Sequence, residues 1–452
     1  MQANAEDALI QAFRRAAGRV PAYAQILREA GVSPQAVRSL EDFRRLVPVI
    51  DKQATFSRFA VADLCVDGKL PPLAGVLTSS GHSGRFAFGL YDLPGAEAEV
   101  RRTDDALDAL FAVRSRPTLL VNCLPMGVKV PTRACTLAET SVRADMVTGV
   151  VAQFSRHYHQ IVLVGETAFI KHVLESGQDQ GIDWTKPLIH VIVGEEPLAE
   201  NARKYLEGIL GIDRQASRKG LVVASMGVAE LGLNLFSEDR FLIALRRIMH
   251  EDRAWREAIA GRHATVLPMV FKYDPSHIFT EIGKGGRLVI STLDIQRPLP
   301  LIRYATGDLA ALPAPQAVTQ AAQQKGLAPG PAGLSLLLVF GRGECAKAGA
   351  TPVYPEQVKE GLYHDPNLAR LMTGNFRMHS GDKAVALRIQ LCPAASPQPS
   401  LEQRLAGAMS QYVPAPLRVQ CQRYEEFADG MSLNYERKFQ YAGQQGDLTW
   451  SR

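Results

Sequence analysis

Apolar residues recur along the chain at two alternating periods. From Ala5 to Ala30, Leu9, Phe13, Ala16 and Ala17 fall on one side of a helix. A second short helix is predicted after Ser33-Pro34, with the serine as cap and the proline at the first helical position. Residues 75–92, GVLTSSGHSGRFAFGLYD, read as strand, loop and strand. Val76 and Leu77 lead into a Gly/Ser-rich loop, and Phe86, Phe88 and Leu90 then alternate at the strand period of two. Beyond them, continuous apolar runs at 117–124, 160–165, 187–194 and 220–225 predict strands, and the amphipathic segments 136–154, 166–177 and 197–210 predict helices. Apolar strands separated by amphipathic helices make a parallel sheet covered on both faces. Ligands of such sheets sit at the carboxyl ends of the strands, which directs attention to the residues after Gly194 and Ser225.

The texture changes from Leu288. RLVIST and LIRYATGDLAAL read as strands of an antiparallel region, and the Pro/Ala/Gln-rich stretch 313–333 as a flexible loop. A Gly-containing turn after LLLVF marks a boundary near Gly341, and the rest forms a small α/β unit interrupted at 393–400. The expected fold class is therefore α/β: a large N-terminal domain, 1–340, with parallel and mixed sheets flanked by helices, and a small C-terminal α/β domain, 341–452. A chain of 452 residues suits that division, being too long for one core.

With 46% hydrophobic and 21% charged residues the chain is compositionally globular, which removes the disordered and fibrous classes. Its net charge of +5 is dispersed, so no nucleic-acid partner is expected, although the balance favours an anionic small molecule such as a nucleotide or coenzyme A. The six cysteines form no C-x-x-C pair, so reduced thiols are expected. The N-terminal residues MQANAEDALIQAFRR lack the apolar core of a secretory signal, and no apolar run approaches the ~20 residues of a membrane span. A cytoplasmic setting without membrane attachment is the expectation.

Chemistry-bearing residues gather in short segments. The loop Thr78-Ser79-Ser80-Gly81-His82-Ser83-Gly84-Arg85 offers hydroxyls, approachable backbone N–H groups and a cation, the components of a phosphate site or of an ordinary turn. It lacks the Lys-Ser/Thr ending of a P-loop, and a strand follows it, which disfavours kinases and P-loop ATPases. It also lacks the G-x-S-x-G elbow of a serine hydrolase. Gly194-Glu195-Glu196-Pro197 and Ser225-Met226-Gly227-Val228-Ala229-Glu230 both lie at predicted strand ends. A glutamate there can cap a helix that starts at Pro197, lie on the surface, or in the case of Glu230 hold magnesium, which prefers oxygen ligands. Asp308, after Thr306-Gly307, can close a tight turn or accept hydrogen bonds from ribose hydroxyls. Arg342 sits beside the expected hinge, and Lys438 near the C-terminus is either a solvated edge residue or a catalytic cation. His157 and His159 have no acidic or thiol neighbours in sequence that would make them a metal pair.

The order of these segments resembles the adenylate-forming superfamily, most closely its phenylacetate–coenzyme A ligase branch. VPAYAQILREAGVSPQAVRSLEDFRRLVPVIDK (20–52), VGEEPLAENARKYLEGILGI (193–212) and RLVISTLDIQRPLPLIRYATGDLAAL (287–312) are similar to segments of that branch, so the resemblance spans most of the chain. It implies that Thr78, Ser79, Ser80, Gly81, Ser83, Gly84 and Arg85 surround the ATP phosphates, that Gly194, Glu195, Glu196 and Pro197 with Ser225, Met226 and Gly227 line the adenine pocket, and that Glu230 holds Mg2+. It also implies that Asp308 binds the ribose with Arg342 nearby, and that Lys438 reaches the α-phosphate from a mobile C-terminal domain that swivels near Glu344. The implied activity is ATP-dependent conversion of a carboxylic acid to its acyl-adenylate, followed by transfer to a thiol, with coenzyme A as co-substrate.

Several positions depart from that pattern. His82 replaces the usual Thr, Arg85 the usual Lys, and Met226 an aromatic residue, while 313–333 lacks the metal-binding cysteines of some relatives. The segment 122–146 also differs from the usual acid pocket, so phenylacetate is not implied as substrate. A carrier protein, an amine or a partner reductase stands as the alternative acceptor, and a homodimer is one candidate assembly. A nucleotide-binding regulatory module without turnover is the reading from another class.

Overall fold

The computed structural model describes residues 2–79, 86–125, 127–212, 220–261, 265–328, 330, 333–427 and 441–442. The chain opens with helices α1 (Gln2–Arg19), α2 (Pro21–Glu29) and α3 (Leu40–Leu46). Pro21 divides the predicted 5–30 helix, because it has no N–H to continue α1 and its fixed φ suits the first turn of α2. The helix predicted after Ser33 is only a 3-10 turn, Pro34–Ala36, and Ser33 Oγ donates to Gln35 Oε1 (2.8 Å) in place of capping. Strands β1 (Gly75–Thr78) and β2 (Phe88–Tyr91) form an antiparallel hairpin, and α4 (Leu93–Phe111) follows.

The central segment supplies β3 (Thr118–Asn122), β4 (Thr136–Glu139), α5 (Ala144–Phe154), β5 (Gln160–Gly165), α6 (Thr167–Asp179), β6 (Ile189–Val193) and α7 (Glu200–Ile209). After these come β7 (Val222–Val228), β8 (Gly232–Ser237), α8 (Arg240–Glu251) and α9 (Arg253–Ala260). Strands β9 (Met269–Lys272), β10 (Ile278–Ile282), β11 (Arg287–Thr292), β12 (Tyr304–Ala311), helix α10 (Pro315–Gln324) and β13 (Leu336–Val339) complete this region. Among the described residues these strands form an 11-stranded sheet, ordered β10-β11-β12-β13-β9-β8-β7-β6-β5-β3-β4. Strands β4, β3, β5, β6 and β7 run parallel and the remainder antiparallel.

The parallel half carries helices on both faces, as its continuous apolar strands require. Leu119, Val121, Ile161 and Leu163 pack with residues of α5, α6 and α7, while Leu120, Val162 and Val164 pack with Leu107 and Phe111 of α4 and Ile243 of α8. The alternation follows from the opposed directions of successive side chains on a strand.

The final segment contains β14 (Ala346–Ala348), β15 (Thr351–Val353), α11 (Pro355–Leu362), α12 (Pro366–Ala369), β16 (Met372–His379), β17 (Val385–Leu391), α13 (Pro399–Met409) and β18 (Leu417–Gln422). Strands β16, β17 and β18 make a separate three-stranded sheet. The fold is thus α/β with a large mixed sheet flanked by helices, as the sequence implies.

Three further local expectations are corrected. The predicted helix 136–154 begins with strand β4, because Thr136–Glu139 finds a parallel partner in β3 and Asn122 Nδ2 donates to Glu139 Oε2 (2.7 Å). The helix expected from Pro197 starts at Glu200, since the preceding turn carries Glu195 at φ 73 and cannot be helical. The loop 313–333 contains α10, whose Val318 and Ala322 bury one turn apart among residues of α8 and β13.

Candidate active site

Hairpin β1–β2 positions the hydroxyl-rich loop. Ser79 N donates to Ala87 O (2.9 Å) and Ala87 N to Ser79 Oγ (2.9 Å), closing the ladder around that loop. Ser80, Gly81, Ser83, Gly84 and Arg85 lie outside the described residues, so the structure places only Thr78 and Ser79 of this group. It adds a cation that the loop motif does not contain: Lys52 Nζ donates to Ser79 Oγ at 3.0 Å. Lys52 arrives there because Ile50 pairs with Tyr304 at the start of β12, while Arg303 Nη1 donates to the carbonyls of Arg44 (2.8 Å) and Val47 (2.6 Å) at the end of α3.

The second strand of the hairpin rests on the turn that carries Glu230. A Cβ at Gly89 would lie 2.1 Å from Ala229 O and 3.5 Å from the Glu230 Cα, so glycine lets the two backbones touch. The segment Ser225-Met226-Gly227 lies within β7, which turns back as β8, with a register shift between Met226 and Val228. Gly227 is required there, because its Cβ would meet Leu233 O at 2.3 Å. Glu230 is 5% exposed, and Tyr304 Oη donates to its Oε1 at 2.5 Å. Burial, then the Glu230 charge, hold the Tyr304 phenol far above its ordinary pKa, so it remains a neutral donor. Arg297 fixes the same turn through the carbonyls of Glu230 (2.9 Å) and Leu231 (2.6 Å).

Among the described residues, no group of three or more His, Cys, Asp and Glu side chains could hold a metal ion. A single oriented carboxylate still fits magnesium, which takes one or two carboxylates and completes its shell with water and phosphate oxygens. Glu230 would hold the ion, whose chemistry there is to neutralise phosphate charge.

Asp308 projects from an irregularity in β12. Val289 pairs with Ala305 and Arg287 with Leu309, so Thr306, Gly307 and Asp308 stand opposite Leu288 alone. Gly307 adopts φ 91, Thr306 Oγ1 donates to Asp308 Oδ2 (2.8 Å), and Arg342 Nε lies 3.7 Å from Asp308 Oδ1. Beyond the bulge, Leu309 N donates to Gly341 O (2.7 Å). Arg342 and Asp308 are therefore neighbours, and Glu344 is exposed just before β14.

The turn Gly194-Glu195-Glu196-Pro197 follows β6, with Gly194 N donating to Gly165 O (3.1 Å) at the end of β5. Glu166 begins the next connection from β5, and burial, then the charges of Glu196 and Glu195, hold its carboxyl well above the usual range. Burial opposes ionisation of Glu196 too, but Lys359 Nζ and Tyr441 Oη both donate to its Oε2, the latter at 2.9 Å, and bring it below the usual range. The two carboxyls are thus pushed apart, Glu166 toward its protonated form and Glu196 toward its ionised form. The Lys359 ammonium also lies 4.3 Å from the centre of the Tyr441 ring. Burial pushes the neighbouring Glu356 up to about 7, with the charges of Glu196 and Glu344 adding to the effect.

Lys438 lies outside the described residues, three positions before Tyr441. Lys52, Tyr304, Glu166, Lys359 and Tyr441 are the site-region residues that sequence reasoning missed. Lys52 ends the segment 20–52 and Tyr304 lies within 287–312, so both had a positional signal; the others are brought in by tertiary contact. Burial raises the thiols of Cys65 to about 11 and Cys123 to about 12, which makes neither a nucleophile at neutral pH.

No protein-family model matches the sequence, and no curated protein matches it. Solved structures do. The chain is similar to 2-hydroxyisobutyryl-CoA ligase in the postadenylation state, in one structure with a TM-score of 0.67, 15% identity and coverage of 97% of this chain and 88% of that one. A second postadenylation structure of that ligase gives a TM-score of 0.66 at 14% identity, covering 97% of this chain and 88% of that one. The same ligase in the thioesterification state matches at 0.54, with 15% identity, over 98% of this chain and 91% of that one. The chain has the fold of this ligase.

Proposed function

We propose that the protein activates a small carboxylic acid with ATP as an acyl-adenylate and passes the acyl group to a thiol, with coenzyme A as the acceptor. The observation that carries this reading is the convergence of the β1–β2 hairpin, the Glu230 turn and the Asp308 bulge. Gly89 seats the hairpin on the Glu230 turn, and Tyr304 joins that turn to the strand bearing Asp308. These are the parts needed to hold triphosphate, metal and ribose together. The fold supports the reading, since the ligase with that fold is captured with 2-HIB-AMP and, in another structure, with CoA as well.

In this mechanism the substrate carboxylate attacks the α-phosphorus of ATP, an acyl C–O–P linkage forms, and the bond to the leaving pyrophosphate breaks. Two anions approach one another, so catalysis requires positive charge aimed at the phosphates. Lys52 lies beside Ser79 to supply it; we assign further phosphate contacts to Thr78, Ser79, Ser80, Gly81, Ser83, Gly84 and Arg85, and the α-phosphate to Lys438. Glu230 would hold Mg2+, oriented by Tyr304. Asp308 accepts from the ribose hydroxyls beside Arg342, and the adenine lies between Gly194–Pro197 and Ser225–Gly227. We assign the large domain to 1–340 and the smaller one to 341–452, whose rotation near Glu344 opens the site for the thiol.

Acid-dependent exchange of pyrophosphate into ATP, measured without coenzyme A over aryl, arylacetic, fatty and small hydroxy acids, tests the proposal. Exchange with one class of acid is the expected result. ATP binding without exchange for any of them would favour a nucleotide-binding module and reject adenylation.

A further inference from the structure

Helix α7 begins without a cap of its own, because the residue before it is Ala199, which has no side-chain acceptor. The acceptor comes from α11, far along the chain. Glu360 accepts from Glu200 N at 2.7 Å and from Asn201 N at 2.9 Å, while Asn201 Nδ2 donates to Glu360 O at 2.8 Å. His250 Nε2 lies 3.3 Å from the same carboxylate, which is 5% exposed. The start of α7 is a rigid base for this contact. Glu200 accepts from Arg203 (3.0 Å), Arg246 (2.7 Å) and Arg247 (3.2 Å), all within the large sheet's own helices.

Neighbouring positions of α11 make the same kind of contact. Gln357 Nε2 donates to Thr265 O at 3.0 Å, and Lys359 donates to Glu196 of the turn after β6. Tyr441 donates to that same Glu196 and is itself tied to β16, whose Met378 N donates to Tyr441 O at 2.7 Å. The bonds that Gln357, Lys359, Glu360 and Tyr441 make to Thr265, Glu196, Glu200 and Asn201 all join residues on opposite sides of Gly341-Arg342-Gly343-Glu344. Gly341 at φ 84 and Gly343 at φ 77 occupy the left-handed region there, so a rotation at this point breaks the contacts as a set.

Glu196 is the contact through which ligand and interface can communicate. It follows Glu195, held at φ 73, a conformation costly for a residue with a Cβ and maintained only by its surroundings. A ligand seated on this turn would restrain it and keep the Glu196 carboxylate aimed at Lys359 and Tyr441. If the turn moves, an ammonium side chain with only 10% of its surface exposed loses its counter-charge.

We infer that α11 is a latch: Glu360 and Lys359 hold the C-terminal unit against the large sheet in the present arrangement, and the Lys359–Glu196 pair couples that hold to occupancy of the Gly194–Pro197 turn. The inference rests on the adenylation reading, which places nucleotide on this turn. It goes beyond that reading by naming the residues that transmit occupancy to the interface.

Hydrogen–deuterium exchange of the full-length protein, with and without ATP and MgCl2, tests it. In the unmodified protein ATP is expected to slow exchange at least threefold both in 194–206 and in α11. In Lys359→Met the protection of 194–206 persists and that of α11 is lost, while Lys359→Arg restores it. If Lys359→Met does not fold, Lys359→Gln, which removes the charge but keeps a polar end facing Glu196, has the same expected pattern. Protection of α11 that survives in these variants, or that is missing in the unmodified protein while 194–206 is protected, overturns the latch. Absence of protection at both places overturns the nucleotide assignment of the turn itself, and the coupling with it.

Discussion

Tyr304→Phe isolates one bond on which the Glu230 assignment depends. The substitution keeps the ring of a residue 1% exposed and removes only the hydroxyl that donates to Glu230 Oε1 at 2.5 Å. No cavity of consequence forms, so the effect is the loss of a hydrogen bond to a carboxylate, about 1.5–3 kcal/mol. Expressed wholly in the rate, that loss amounts to roughly tenfold to a hundredfold. Arg297 still pins the backbone of the turn, so the carboxylate is expected to turn away while the loop stays in place. The assay is acid-dependent pyrophosphate exchange at several Mg2+ concentrations, with ATP binding and thermal unfolding measured alongside. Slower exchange, a raised half-saturating Mg2+ concentration and little change in unfolding temperature are expected. A merely structural role would lower the unfolding temperature and leave the Mg2+ dependence alone. Unchanged exchange and an unchanged Mg2+ midpoint would refute the claim that Tyr304 orients Glu230 for the metal.

Three further predictions follow from the geometry. Gly89→Ala places a Cβ 2.1 Å from Ala229 O, so the hairpin must lift off the Glu230 turn at a cost of about 1–3 kcal/mol; exchange activity and unfolding temperature should both fall, whereas Gly75→Ala, with open space around its Cβ, should match the unmodified protein. Asp308→Ala should weaken ATP binding measured by calorimetry while leaving the fold intact by circular dichroism, and an unchanged affinity would remove Asp308 from the ribose site. Glu356 has its carboxyl raised to about 7, so its contribution to stability is fully present below its unfolded value near 4.5 and is lost as pH rises through about 7. Glu356→Gln should flatten the fall in unfolding temperature across that window, and an identical pH profile in the two proteins would reject the assignment.

How much of this was legible beforehand varies from element to element. The parallel half was, because Gln160–Gly165 and Ile189–Val193 are buried on both faces and so read as unbroken apolar runs between amphipathic helices. Strand β4 was not, because a four-residue segment at the sheet edge owes its state to pairing with β3 and to Asn122, not to a period of its own. Helix α10 was hidden by its Ala/Gln composition, with Val318 and Ala322 as its buried anchors.

The sequence alone determined the class of fold and supplied the segments from which the proposed site is assembled. Turns after strands need Gly, Ser, Asp or Glu at particular positions, and those residues are visible in order at 78–79, 194–197, 225–230 and 306–308. Only the tertiary structure decided which groups face one another across those segments. Lys52 reaches Ser79 because Ile50 lies beside Tyr304, Tyr304 holds Glu230, and Glu360 caps a helix whose own N-cap is an alanine. The physical reason is that strand and helix periods are local properties of backbone and side-chain pattern, whereas a buried hydrogen bond is fixed by where two distant segments meet. Neither partner carries a mark of the other in the linear chain.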